Sequence, residues 1–406
     1  MKKKYSVAFA PLNERLLILS FNVSKLLIKK GISVCILKTS LNGSKLSAFK
    51  NKSLVKKISD IIPIVNVPYL QFKNKVGFFG NILRTIGVHY QLNSKWEAPY
   101  EVLVTFMDDY SVDEVLTIYN KKKNIPTIML QEGSEPRRNK YSISLYDFFS
   151  FLRNLIFRNY FHSKAIGLNS DYVAAWSTLN YKHFIDNGRS SKNTFIVGSP
   201  YPLEKIKKKN KTKKNILILH QTLYHRYSSV KWNDELWTEL STQLLKKGYN
   251  LTVKPHPRAG SKREIALFNQ IKQRAKSINR PIKIMKRSIL AEKLIKDTDI
   301  VITCISAGAN AALGNGIPVI YVDTPFNKNQ ALNKLSKKNE IILVKDWQEA
   351  VNKINNIINN SYKLAHWKKK GYSSLIKLSG DPEIFEKKWL KLILRVINNK
   401  KIININ

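Results

Sequence analysis

The stretch IVITCISAGANAALGNGIPVIYV, residues 300–322, carries no charged side chain and is the longest such run in the chain. An apolar run of about 20 residues is long enough to span a bilayer. Its interior argues otherwise, because Gly308, Gly314, Gly316, Asn310, Asn315 and Pro318 break it into pieces. It reads as a buried strand at 300–304, a short helix at 307–313 and a second strand at 318–322. Strands that are apolar on both faces belong to parallel sheets, whose helical crossovers cover both sides. No transmembrane segment is expected.

The same alternation extends in both directions. Upstream are strand 216–220, helix 234–247, strand 250–254, helix 262–277, strand 282–284 and helix 289–295; downstream are strand 341–344 and helix 347–359. An earlier series holds strand 5–10, a helix from 14 to 29 that ends at Gly31, strand 33–38, strand 102–106, helix 112–122 and strand 127–130. Short strands at 165–168 and 194–197 complete it. Between the two series, residues 204–215 contain seven Lys in twelve positions, too charged for a core and suited to a solvated linker. The expected layout is an α/β chain of two Rossmann-like domains, 1–203 and 216–380, with parallel sheets facing a central cleft. Residues 381–406 form a C-terminal helix (383–397) and basic tail, for which a return to the first domain is one option. Such sheets bind ligands off the carboxyl ends of their strands.

The 406 residues include 70 Lys and Arg against 28 Asp and Glu, a formal charge of +42. Only 14 of the basic residues are Arg, and Ile and Asn are abundant, so part of this charge reflects a biased composition. The remainder predicts attraction to polyanions: nucleic acid, an anionic membrane, or acidic glycans and their nucleotide-linked donors. No nucleic acid partner is expected, because the charge is spread along the chain and no groove helix or stacking motif accompanies it. Cys35 and Cys304 both lie in apolar runs, which excludes a disulfide framework and suits a reducing cytoplasm. No secretory signal is visible, since the first apolar run stops at Pro11 and the charged Glu14 and Arg15. Residues 146–161, YDFFSFLRNLIFRNYF, pack seven aromatics with Arg153 and Arg158. That composition suits an in-plane helix on an anionic membrane surface, and equally a helix covering a core.

Four places hold residues suited to chemistry. After the strand ending at Val253 come Lys254, Pro255, His256, Pro257, Arg258, Ala259 and Gly260. Prolines on both sides fix the backbone around the imidazole, and Lys254 and Arg258 bracket it with charge suited to a nucleotide phosphate. The second is Ser306, Ala307 and Gly308 at a strand-to-helix junction, where free N–H groups and a hydroxyl suit an anion or an ordinary cap. Neither is a GxGxxG or GK[ST] loop. The third is the loop after strand 216–220, where Gln221, Tyr224 and Arg226 offer contacts to base, ribose or phosphate. His220, His225 and His256 match no common metal-ligand spacing, and no metal is expected. The fourth is Glu132, between Gln131 and Gly133 at the end of a buried strand. There a partly desolvated carboxylate can act as general base, with Ser134 and Arg137 in the same loop. Asp108 and Asp109 form the rival pair, with helix capping as their ordinary role.

These motifs resemble GT-B glycosyltransferases of bacterial surface polysaccharides, above all the bacterial sialyltransferase and polysialyltransferase group. Kdo transferases and CDP-glycerol glycerophosphotransferases are cousins. The group's acidic-acidic-Gly, His-Pro and serine motifs map to Gln131-Glu132-Gly133, His256-Pro257 and Ser306. The resemblance implies that Glu132 is the base, that His256 supports the departing nucleotide phosphate and that Ser306 binds it. It also implies an inverting reaction that needs no metal or other cofactor. Gln131 departs from the pattern, where the first acidic residue is expected, as does Ala307, where a second serine is often found.

The expected function is transfer of a sugar, CMP-activated and sialic-acid-like or Kdo-like, from a nucleotide donor to a surface glycan or lipid-linked acceptor. The enzyme would work in the cytoplasm or peripherally at the inner membrane face, with residues 146–161 as the membrane contact. Asn13, Glu14 and Arg15 on the first loop, with Asp108, Gly133, Ser134 and Arg137, are candidate acceptor contacts. Transfer of glycerol phosphate from CDP-glycerol and a UDP-N-acetylglucosamine 2-epimerase activity are the alternatives.

Overall fold

The computed structural model describes residues 4–39, 49–67, 78–106, 111–131, 169–200, 214–221, 230–256, 260–289, 291–304, 306, 308–323 and 330–403. The chain forms two compact units. Of the described residues, the first holds those within 4–131, 169–200 and 380–403, and the second those within 214–379. No described helix is long and apolar enough to cross a membrane.

The first unit is built on seven strands: β1 (Tyr5–Phe9), β2 (Val34–Lys38), β3 (Ile64–Asn66), β4 (Tyr100–Thr105), β5 (Thr127–Leu130), β6 (Tyr172–Ala175) and β7 (Thr194–Ile196). They run parallel in the order β3-β2-β1-β4-β5-β6-β7. The pleat sends alternate residues to opposite faces. Val7, Phe9, Ile36, Val102 and Val104 pack on one side with the Glu14–Ile28 helix, while Ala8, Cys35, Leu37 and Leu103 meet the helices Phe78–Lys95 and Ser111–Lys122 on the other. Both faces are thus covered, which is why the strands read as continuous apolar runs.

The Phe385–Ile403 helix packs in this first unit, where Phe385, Trp389, Leu392, Ile393 and Val396 join the core around Phe9 and Leu16. Each such buried side chain contributes roughly 1.5–3 kcal/mol as an upper bound, enough to hold a Lys-rich helix of about five turns on the sheet. The turn leading into it needs glycine. Gly380 has φ +82° and a Cβ there would lie 1.9 Å from the Trp176 carbonyl oxygen. Gly198 faces the Asp381 carbonyl in the same way, at 2.2 Å, and the Ser199 N–H donates to that carbonyl at 3.3 Å.

The second unit carries β8 (Asn215–Leu219), β9 (Asn250–Lys254), β10 (Ile282–Ile284), β11 (Ile300–Thr303), β12 (Val319–Val322) and β13 (Ile342–Val344). Their order is β10-β9-β8-β11-β12-β13, again all parallel. Ile216, Ile218, Leu251, Val253, Ile300 and Ile302 bury one face against the helices Val230–Lys246, Lys262–Ser277 and Trp347–Ile358. The short Gly308–Gly314 helix packs closely on the Ser361–Ser379 helix. A Cβ on Gly371 would lie 2.7 Å from the Leu313 carbonyl oxygen, and Ser379 Oγ donates to Asn310 Oδ1 at 2.8 Å.

Both sheets are therefore doubly wound, with a topological switch between β1 and β4 in one and between β8 and β11 in the other. The uncharged run 300–322 is strand, helix and strand. Several elements carry no clear sequence signal, among them the Lys-rich helix Lys52–Ser59, β3, β6 and the helices Phe78–Lys95, Thr178–Asp186, Gln330–Lys337 and Ser361–Ser379. The expected strand at 165–168, the aromatic segment 146–161 and most of the Lys-rich segment 204–215 lie outside the described residues.

Candidate functional site

In the second sheet β8 lies between β9 and β11, so the carboxyl ends of three strands adjoin at the switch point. Beyond these ends come His220 and Gln221, then Pro255 and His256, then Cys304, Ser306 and Gly308. The backbone is stitched there. The His220 N–H donates to the Lys254 carbonyl at 3.0 Å, and Thr303 Oγ1 donates to the Leu219 carbonyl at 3.2 Å.

Gly308 is required by close packing, since a Cβ would lie 2.8 Å from Ala291 Cβ and 3.3 Å from Leu219 Cδ1. Ser306 lies two residues ahead of the Gly308–Gly314 helix. Its Oγ accepts from the Gly308 N–H at 3.2 Å and its carbonyl from the Ala309 N–H at 3.0 Å. A hydroxyl that accepts at the helix end keeps its own proton to give to a ligand. Lys254 departs from expectation in its direction. It is buried, and its Nζ donates to the Pro255 carbonyl at 2.8 Å, so the ammonium braces the backbone before His256. Burial lowers the Lys254 pKa, and the Glu292 carboxylate works against that.

His256 and Gln221 are half-buried. The segment after His256 is re-anchored by Glu264, whose side chain is 1% exposed. Glu264 Oε2 accepts from the Gly260 N–H at 2.6 Å, the Ser261 N–H at 3.0 Å and Ser261 Oγ at 3.0 Å. Ser261 Oγ in turn accepts from the Glu264 N–H at 3.2 Å, a capping box that opens the Lys262–Ser277 helix. The signal was in the sequence, as Ser-x-x-Glu ahead of an amphipathic run, and its functional position was not.

His220 is 2% exposed, edge-on to Trp237 (ring centroids 5.5 Å) and to Phe268 (5.0 Å). Burial pulls its pKa down to about 4; Glu264 opposes this and His256 adds to it. In the sequence His220 is one member of a histidine set, with no signal that gives it a role of its own.

In the first unit Asn13 caps the Glu14–Ile28 helix, its Oδ1 accepting from the Leu16 N–H at 2.9 Å. Glu14 Oε1 accepts from Asn51 Nδ2 at 3.2 Å, and Arg15 is exposed. At the end of β5 the buried Gln131 accepts the Trp176 N–H on Oε1 at 3.0 Å, tying β5 to the end of β6. A neutral amide suits that place, because a carboxylate so buried would need a compensating charge. Glu132, Asp108, Asp109, Gly133, Ser134, Arg137, Tyr224, Arg226, Pro257, Arg258 and Ala307 lie outside the described residues. The structure thus brings Gln221, Lys254, His256, Ser306 and Gly308 to one sheet end, and leaves Asn13, Glu14 and Arg15 in the other unit.

The sequence model of the alpha-2,8-polysialyltransferase (POLYST) family matches residues 111–308, a span that includes Glu132, His256 and Ser306. No curated protein matches the chain in sequence. Among solved structures, a glycosyltransferase from Rickettsia africae is similar at 12% identity with a TM-score of 0.61, covering 98% of this chain and 99% of that one. A UDP-GlcNAc 2-epimerase from Neisseria meningitidis bound to UDP-GlcNAc is similar at 12% identity and TM-score 0.60, over 96% and 100%. MurG of Acinetobacter baumannii follows at 13% and 0.53, over 97% and 99%. The fold is GT-B. Over residues 111–308 the chain resembles the polysialyltransferases.

Proposed function

We propose that the protein transfers a sialic-acid-like or Kdo-like sugar from a CMP-activated donor to a surface glycan or lipid-linked acceptor, with inversion and without a metal. The observation that carries this reading is the convergence of His256, Gln221, Ser306 and Gly308 at the switch point of one sheet, inside the segment that matches the polysialyltransferases. Glu132 takes the proton of the acceptor hydroxyl as its oxygen bonds to the anomeric carbon. The bond from that carbon to the nucleotide phosphate breaks, and CMP leaves with the electron pair. His256, Ser306, the N–H groups after it and Arg258 stabilise the charge that develops on the phosphate. Tyr224, Arg226 and Pro257 complete the nucleotide contacts. Asn13, Glu14, Arg15, Asp108, Gly133, Ser134 and Arg137 form the acceptor side, although Asn13 and Glu14 also serve the helix ends they sit on. The formal charge of +42 favours acidic acceptors and anionic lipid, and residues 146–161 supply a membrane contact at the inner face.

Thermal stabilisation by CMP, CDP, UDP and GDP tests the donor. A ligand at about a hundred times its dissociation constant adds about 2.7 kcal/mol to the folded state. Selective stabilisation by CMP is expected, and Glu132→Gln and His256→Ala abolish transfer with folding kept. CDP alone would move the reading to glycerol phosphate transfer, which product mass distinguishes. UDP with turnover in the absence of acceptor would move it to the epimerase reading, which the shared fold favours. No response to any nucleotide refutes the donor site.

A further inference from the structure

His220 is a polar side chain in an apolar slot. It lies one residue past β8, 2% exposed, with its ring edge-on to Trp237 and Phe268. Neither Nδ1 nor Nε2 has a hydrogen-bond partner among the described residues. A neutral imidazole carries one donor and one acceptor, and burying both unmade costs free energy that a phenylalanine in the same slot would not incur. Such a group calls for a reason. The titratable groups that face it electrostatically are His256 and Glu264. Glu264 is already engaged, its Oε2 holding Gly260 and Ser261. His256 leaves the adjacent strand two residues beyond Lys254, the residue whose carbonyl accepts the His220 N–H.

We propose that His220 is a positioning residue for His256: when the donor nucleotide binds, the neutral His220 ring accepts the N–H of His256 that points away from the phosphate. This rests on the donor-site reading above. A histidine that meets a phosphate through one nitrogen is held best when its other N–H has an acceptor, as carboxylates and carbonyls do for metal-bound histidines. An imidazole kept neutral by its surroundings is a suitable acceptor. The proton then stays on His256, next to the phosphate, and no covalent step involves His220.

The test is CMP affinity of the full chain measured by calorimetry between about pH 5.5 and about pH 7.5, roughly one unit either side of the ordinary histidine pKa, for wild type, His220→Phe and His220→Gln. If wild type prefers another nucleotide, that nucleotide is the probe. His220→Phe fills the slot without polar atoms and is expected to melt at or above the wild-type temperature in the absence of nucleotide. Its affinity is expected to fall by about tenfold, the lower end of what losing the partner of a ligand-holding histidine gives, and its binding is expected to weaken at a lower pH than in wild type. His220→Gln keeps an acceptor and is expected to recover part of the loss; should His220→Phe not fold, this variant carries the test through its pH dependence. Wild-type affinity and pH dependence in the folded variants overturn the proposal while leaving the donor site standing. If wild type itself binds no nucleotide, the donor-site reading fails and the proposal fails with it.

Discussion

Removal of the Glu264 carboxylate should loosen the second unit at the point where the chain leaves His256. In Glu264→Ala the N–H groups of Gly260 and Ser261 and the Ser261 hydroxyl lose the oxygen they share at 2.6, 3.0 and 3.0 Å. A donor left unsatisfied in a buried place costs about 1–3 kcal/mol. Gly260 and Ser261 are exposed, so water restores part of this, and Ser261 Oγ still caps the Glu264 N–H. The net loss should be about 2 kcal/mol, roughly thirtyfold in the folding equilibrium. For a unit of this size that lowers the melting midpoint by roughly 4–8 °C. Urea unfolding of the full chain, followed by the fluorescence of its tryptophans, measures the loss, with Trp237 buried in the affected core. Glu264→Gln keeps one acceptor oxygen and should lose about half as much. A Glu264→Ala protein within about 0.5 kcal/mol of wild type, the range of an ordinary surface change, would refute the idea that this carboxylate organises the segment.

Three further outcomes are expected. Gly380→Ala should destabilise the first unit by more than the roughly 1–2 kcal/mol of left-handed backbone strain, because its Cβ meets the Trp176 carbonyl at 1.9 Å; a wild-type urea midpoint would contradict the packing. Asn13→Ala should cost about 1 kcal/mol through the lost cap and leave nucleotide stabilisation unchanged, and a larger loss of transfer than of stability would mark Asn13 as an acceptor contact. His220 titrates near 6.5 unfolded and is pulled down to about 4 by burial in the fold, so the unfolded chain binds the extra proton between these values. Its contribution to stability is complete above pH 6.5 and is lost as pH falls towards 4, with a slope of at most about 1.4 kcal/mol per pH unit. In urea titrations the stability difference between wild type and His220→Phe should change with pH in that window only, and parallel curves would count against the burial.

Much of the site could be read locally. The proline-flanked His256, the small residues at Ser306 and Gly308, and the Ser261–Glu264 box each state their geometry within a few residues, because caps and strand ends depend on near neighbours. Most buried β strands, though not β6, could be found for the same reason, since two-sided burial leaves an uninterrupted apolar run. Elements whose polar or Lys-rich surface masks a narrow apolar stripe, such as the Ser361–Ser379 helix with Gly371 at its centre, could not be found in that way. Their burial depends on a partner far along the chain.

Composition, the alternation of strand and helix, and the motifs at strand ends follow from the amino acid order alone. Three things came only from the tertiary structure. One is that β8 lies between β9 and β11, which gathers His220, His256 and Ser306 at a single sheet end. Another is that Lys254 turns back onto the Pro255 carbonyl and Gln131 onto the Trp176 N–H. The last is that the helix at Phe385–Ile403 covers the first unit's sheet. An apolar face specifies that it must be buried but not by what, because hydrophobic burial is non-directional. The choice of partner falls to strand order, register and close packing over the whole fold.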